Sequence, residues 1–366
     1  MINKLVIENL RHRPVRTLLS AVAIGVQVTM MLTLVGLSRG FLQDQQRRAR
    51  GIGADIIVKD SGASAMSLGI GFPESFIPFF EKQPHVAMAT GALIQPNGPL
   101  STVTGLDLPR FQQMSGTFRF LSGRAFEKPD EVIVDEFYAR QHGLKVGDSV
   151  TVLNRQWRVS GIFESGKLAR LIIPLKTLQD LSGNTGKVVV VYLKLDSPAN
   201  TQQVIDELKS MPGIAGKFQI LSLEELVSQF SVENIPMLKG FIGVVIALGV
   251  IVGFLVVFLS MYTAVLERTR EIGVLKALGA SPGFVLSVLL RETTLLAIIG
   301  SALGIIFTYG TQWLITTFAP GGLLQEIVPD WWPIASGIAL GGALLGAAWP
   351  GMKAAKQDAI EALSYE

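Results

Sequence analysis

The sequence predicts a polytopic α-helical membrane protein with four transmembrane helices and an extracytoplasmic α+β domain inserted between the first and the second. Three observations carry this expectation. The stretches Thr17 to Ser38, Phe241 to Tyr262, Thr293 to Trp313 and Trp332 to Trp349 contain no charged residue, and such lengths suit a helix crossing roughly 30 Å of hydrocarbon. Only 17% of the 366 residues are charged and 49% are hydrophobic, whereas soluble domains carry about a quarter charged. The first two apolar stretches are separated by a polar insert large enough to be a domain of its own.

The first sixteen residues set Lys4, Arg11, Arg13 and Arg16 against the single acid Glu8, with Leu5, Ile7 and Leu10 among them. This predicts an interfacial helix over 1–16, lying on the cytoplasmic membrane surface. The first span follows over 17–38, too long for the core of a signal peptide. Gln27 near its middle is expected to face another helix, because a polar side chain in hydrocarbon needs a partner.

The insert, 39–238, alternates strand-like and helix-like runs. Ala54 to Lys59, Glu131 to Val134, Ser149 to Val152, Trp157 to Phe163 and Lys187 to Leu195 are β-rich and bounded by turn residues. Pro73 to Glu81, Asp135 to His142, Leu175 to Leu181 and Ala199 to Lys209 read as helices, and the mixture predicts an α+β domain. Phe72, Phe76, Phe79 and Phe80 form an aromatic stripe at helical spacing, which points to core packing.

Spans are then expected over 239–265, 282–315 and 332–350, with a short external loop at 316–331 and a cytoplasmic tail at 351–366. Basic residues flank the first span equally, Arg39, Arg47, Arg48 and Arg50 balancing the four before it, so that span alone sets no orientation. The loop before Trp332 holds Glu326 and Asp330 and no base, while Lys353 and Lys356 follow the last span. The excess of bases on cytoplasmic loops therefore puts both termini inside and the insert outside. Trp313, Trp331, Trp332 and Trp349 fall at span ends, as an aromatic belt would. Gly249/Gly253, Gly300/Gly304, Gly337/Gly341 and Gly342/Gly346 are spaced to let helices approach closely.

Between the second and third spans lies a charged cassette, 266–281. Ile272, Leu275 and Leu278 recur at helical spacing, while Glu267, Arg268, Arg270, Glu271 and Lys276 occupy other positions, so the cassette reads as a short amphipathic helix. Gly279 can take the left-handed conformation that closes it, Ser281 can cap the next helix, and Pro282 suits a first helical position.

Other chemistry finds little support. The run Gly161 to Leu168 approaches a phosphate loop but offers Leu168 where a Mg²⁺-binding hydroxyl is needed, and a strand-like run follows it instead of a helix. The histidines His12, His85 and His142 are scattered, no metal or hydrolase motif occurs, and there is no cysteine. A net charge of +3 without a basic, aromatic-interleaved run argues against a nucleic-acid partner.

The words Glu267-Arg-Thr-Arg-Glu-Ile-Gly-Val-Leu-Lys-Ala-Leu-Gly-Ala-Ser281 closely resemble the coupling segment of MacB/FtsX-like ABC transporter permeases, a family that includes LolC/E-like and DevC-like members. The run Val134 to Ser149 and the Val-Ser-Gly-Ile-Phe-Glu-Ser-Gly soon after it resemble that family's periplasmic domain. The resemblance implies a permease subunit that is not itself an enzyme, in a bacterial inner membrane, with ATP and Mg²⁺ bound by a separate cytosolic ABC ATPase. It implies that Glu267, Arg268, Arg270, Glu271, Ile272, Leu275, Lys276, Leu278 and Gly279 form the docking segment. It also implies a second permease copy, like or unlike, and leaves room for a membrane-fusion protein or other envelope partner. Stalks over 39–50 and 223–238 would carry motion to the outer domains, driving export or extraction of an envelope, lipophilic or peptide substrate. An alternative is a signalling subunit that activates an envelope partner, such as a wall hydrolase, without transport.

Overall fold

A computed structural model describes residues 8, 11, 14–62, 71–98, 101–232, 234–318 and 324–357. The chain divides into two compact units: one takes in the residues up to Gly40, Pro236–Phe318 and Leu324 onward, and the other is Phe41–Ile235. Apart from Glu8, Arg11 and a first helical turn from Pro14, the interfacial helix expected over 1–16 lies outside the described residues. So do positions 319–323 of the expected loop and 358–366 of the tail.

The Phe41–Ile235 unit is built on a mixed sheet. In chain order its elements, after the long helix α1 (Pro14–Arg50), are β1 (Ile56–Asp60), β2 (Phe72–Pro73), α2 (Phe76–Glu81), β3 (Val86–Pro96), β4 (Thr102–Leu106), α3 (Leu108–Ser115), β5 (Phe120–Gly123), β6 (Glu131–Asp135) and α4 (Glu136–His142). There follow β7 (Ser149–Val152), β8 (Arg155–Phe163), β9 (Leu171–Pro174), α5 (Leu175–Ser182), β10 (Lys187–Val188), β11 (Val190–Leu195), α6 (Thr201–Ser210), β12 (Phe218–Ser222) and α7 (Leu223–Gln229). The large sheet runs β12-β1-β11-β3-β4-β9-β6-β8-β5, with β7 beside β8, while β2 and β10 pair separately. Neighbours are antiparallel except β4 with β9 and β6 with β8.

Local chemistry sets the element ends. Asp107 and Asp135 cap α3 and α4 by accepting from the amides of Arg110 and Tyr138, and Ser222 with Glu225 completes a capping box on α7. Gly143 and Gly183 close α4 and α5 in the left-handed conformation. Three of the four phenylalanines of the stripe belong to the core, while Phe79 is 38% exposed. Phe80 is fully buried, Phe72 nearly so, and both stack edge-on against Phe218 with Phe76.

The other unit holds α1 up to Gly40, α8 (Pro236–Glu267), α9 (Thr269–Ala277), α10 (Pro282–Phe318) and α11 (Trp332–Lys356). Among the described residues four helices are long and apolar enough to cross a membrane: α1, α8, α10 and α11. Each extends beyond the uncharged stretch that marks it in the sequence, because flanking polar residues continue the helix once the backbone is already hydrogen-bonded.

Helix α1 lies against two partners. Gln27 meets α8 where glycine leaves room: a Cβ on Gly253 would lie 1.8 Å from Gln27 Oε1. On its α10 side, Cβ atoms on Gly300 and Gly304 would approach the carbonyls of Ala21 and Gly25 to 2.8 and 2.6 Å, and Thr29 Oγ1 donates to Gly304 O at 3.1 Å. Gly346 of α11 packs as closely on α8, where a Cβ would lie 2.7 Å from Phe254 O. Three of the four glycine pairs are therefore contacts within the chain, whereas Gly337 and Gly341 meet nothing within 4 Å. Residues ahead of α11 also strap α1, since Glu326 N donates to Gly36 O at 3.0 Å and Arg39 grips both oxygens of Asp330 at 2.8 and 2.7 Å.

The continuous helix that a stalk would need is present over 39–50 and absent over 223–238. Helix α1 continues unbroken to Arg50, but 223–238 is no single helix: α7 stops at Gln229 and α8 begins at Pro236. Proline disfavours the helical conformation in the residue before it and gives up the amide a continuing helix would use.

Candidate functional site

The cassette folds as the sequence implies, with sharper ends. Helix α8 stops at Glu267, Arg268 leaves helical geometry at φ −111° and ψ 14°, and α9 restarts at Thr269. At the far end Leu278, Gly279 and Ala280 donate their amides to the carbonyls of Val274, Lys276 and Leu275, with Gly279 at φ +94°. Ser281 Oγ then accepts from Phe284 N at 3.2 Å, and Pro282 opens α10.

The nine singled-out residues do not share one face. Glu267, Arg270, Glu271, Leu278 and Gly279 are exposed, Leu278 at 81%. Leu275 and Lys276 are half-buried, while Arg268 and Ile272 are buried. Ile272 is the apolar anchor expected of an amphipathic helix. Arg268 is different: its guanidinium is drawn inward to Glu292 of α10, Nη1 donating to Oε2 at 3.3 Å, and its Nε lies 3.9 Å from Glu271. Only 3% of Glu292 is exposed. Lys276 is turned to α11, donating to Ala355 O at 2.8 Å and to Gln357 O. Behind α9 is a cleft of ≈ 390 Å³ lined by Arg268, Glu271, Val274 and Leu275 with Phe284 and Val288 of α10, among others.

Arg268 and Lys276 thus serve inward contacts that reading the cassette as a docking surface does not foresee. The pairing with Glu292 spans 24 positions, too far for helical periodicity to register. One signal was present: Glu292 is an acid at the threshold of an apolar span, and such a charge calls for a partner.

A second charged constellation, in the other unit, escapes the sequence altogether. Asp44 of α1 accepts from Arg170 at 2.8 Å and lies 3.4 Å from Arg48, and Arg170 Nε is 4.0 Å from Asp135. Burial pushes the Asp135 carboxyl up to about 6, against the amide of Tyr138 and the charges of Arg170 and Arg48, which favour ionisation. The same helix end is fitted tightly to the loop after β8. A Cβ on Gly51 would lie 1.7 Å from Gly166 O, and Leu168 N donates to Arg48 O at 3.2 Å. This ties the last turns of α1 to the sheet. Here too lies the near-match to a phosphate loop: Lys167 donates to the carbonyls of Ser115 and Gly116 and sits over the Phe118 ring, so its ammonium holds two loops together.

Comparison with known proteins bears on both units. Residues 17–211 match the MacB-like periplasmic core domain family, and residues 243–359 match the FtsX-like permease C-terminal family. The ABC transporter permease YknZ of Bacillus subtilis is 29% identical over 227 residues, 60% of this chain and 55% of that one. An ABC transporter permease of Mycobacterium tuberculosis is 24% identical over 310 residues, 82% of this chain and 83% of that one. Among solved structures, the periplasmic region of MacB from Actinobacillus actinomycetemcomitans covers 50% of this chain and 95% of its own length, with 19% identity and a TM-score of 0.38.

Proposed function

The chain belongs to the ABC transporter permeases of the MacB/FtsX type, and from that premise we propose that it couples ATP hydrolysis by a separate ATPase chain to movement of its α+β domain. The single observation that carries this reading is α9. It is a short helix with Arg270 and Glu271 exposed, flanked by the exposed Glu267 and Leu278 and bounded by a break at Arg268 and a left-handed glycine at 279. A helix so delimited can be pushed as a unit. The ATPase docks on the exposed side of α9 from the cytosol, with ATP and Mg²⁺ held in its own sites, and a second permease copy completes the assembly in a bacterial inner membrane. Helix α1, continuous to Arg50 and tied to the sheet through Asp44 and Arg170, passes the displacement to the outer domain. There the work is export or extraction of an envelope, lipophilic or peptide substrate.

The test is to purify the tagged full-length chain from its native membranes and assay ATP turnover in lipid nanodiscs. An ABC ATPase is expected in the wild-type preparation, and Glu271→Arg is expected to lower its recovery several-fold by reversing a charge at the contact. Wild-type chain that carries no ATPase subunit and no ATP turnover would remove the proposal. If ATPase is present but the outer domain brings down a wall hydrolase and moves no cargo, coupling stands and its output is signalling.

A further inference from the structure

We propose that Arg268 and Lys276 are positioning residues that pin the two ends of α9 to two different membrane helices, so that displacing α9 moves α10 and α11 and not α8 alone. This rests on the coupling role proposed above only for what the motion serves; the pinning itself is a property of this chain.

Apolar packing alone cannot hold the helix. Of its nine residues only Thr269, Ile272 and Gly273 are buried, and two of these offer little apolar area. Along much of its length α9 faces the ≈ 390 Å³ cleft, across which Val274 and Leu275 look toward Phe284 and Val288. Helices separated by an open cleft lose the close contacts that fix interhelical angles. What remains is at the two ends. Arg268, 8% exposed, stands at the break between α8 and α9 and donates to Glu292, 3% exposed, about three turns into α10. Lys276, in the last turn of α9, donates to Ala355 O and Gln357 O at the end of α11, where carbonyls left without intrahelical donors attract a cation.

The Arg268 pin is directional. The Arg268 guanidinium donates from a fixed planar fork, so its bond to one carboxylate restrains angle as well as distance. Removing one member of a buried pair strands the other charge, whereas replacing both by apolar residues is often tolerated. This separates positioning from stability. An Arg268→Met/Glu292→Leu double variant is expected to fold and to lose only the directional restraint. Exchanging the partners, Arg268→Glu with Glu292→Arg, restores it.

The chain has no cysteine, so spin labels can be placed without background. Labels at the exposed positions Ala277 on α9 and Ile298 on α10 read the first pin, and Ala277 with Leu345 on α11 reads the second. In full-length protein in nanodiscs, both distance distributions are expected to be narrow. The Arg268→Met/Glu292→Leu variant should broaden the α9 to α10 distribution about twofold without lowering the unfolding temperature, and the exchanged pair should narrow it again. Lys276→Met should broaden only the α9 to α11 distribution. Unchanged widths in folded variants would overturn the proposal, as would an exchanged pair that folds yet stays broad, because packing would then set the position of α9. None of these readings needs an ATPase, so failure of the pins and failure of the coupling function are told apart.

Discussion

At the level of single residues, Asp135 shows how a buried group can do two jobs at unequal cost. One oxygen caps α4 by accepting from Tyr138 N at 2.7 Å, while the other lies 4.0 Å from Arg170. Burial nevertheless dominates and lifts its pKa from 3.8 to about 6. A carboxyl that holds its proton more tightly when folded makes the folded state bind more protons than the unfolded one between those two values. Stability therefore falls as pH rises from about 4 to 6 and stays lower above that, by about 3 kcal/mol at most. Asparagine is as good a cap as aspartate and carries no charge to bury. Asp135→Asn is expected to raise the stability of the full-length chain above pH 7 by up to about 3 kcal/mol and to flatten its dependence on pH between 4 and 6. Denaturant titrations of wild type and variant at pH 4, 6 and 8 check this, and a variant equally or less stable at pH 8 would mean that the ion pairs outweigh burial.

Among the elements, Gly279 is the joint whose replacement isolates backbone geometry from contact. At φ +94° it adopts a conformation a β-branched residue resists, yet a Cβ there would meet nothing within 4 Å. Gly279→Val thus adds roughly 1–2 kcal/mol of strain with no clash at Cβ, and the backbone relieves it by re-aiming α10 against α9. The expected outcome is normal recovery of the ATPase with ATP turnover separated from the cellular output; normal values for all three would mean the joint transmits nothing. That this break was legible in the sequence follows from its chemistry, since glycine and proline act through their own backbone and serine through a hydroxyl on an amide three residues on. The membrane helices and strands β6 and β7 were legible for a similar reason: their apolar pattern matches their own burial. Strand β3 was not. Its Ala89, Gly91 and Ala92 are weak strand formers, and at Gly91 neighbours crowd the site: a Cβ there would lie 2.7 Å from Ile77. Charged contacts such as Asp44 with Arg170 were hidden likewise, because their cause is a meeting of distant segments and each member alone reads as a solvated charge; of Arg268 and Glu292 only the acid, at the edge of an apolar span, hinted at a partner.

On the scale of the whole molecule, the coupling proposal stands or falls with which side of the membrane α9 occupies, since ATP is cytosolic. The topology proposed from the balance of bases has α9 and both termini inside, with the Phe41–Ile235 unit and the α10 to α11 connection outside. The absence of cysteine makes the test direct. Ser61 and Thr317 are exposed, and so is Ala277 at the end of α9. Thr269, also on α9, would mislead, because at 4% exposure it would stay unlabelled on either side. Single cysteines at Ser61 and Thr317 are expected to react with an impermeant thiol reagent in intact cells, or in spheroplasts where an outer membrane bars entry. A cysteine at Ala277 should react only after permeabilisation. Labelling of Ala277 in intact cells, with Ser61 silent, would reverse the topology and remove α9 from any cytosolic ATPase. One candidate span, α8, lies between Ser61 and Ala277 in the chain, so labelling of both positions in intact cells would show that α8 does not cross the membrane.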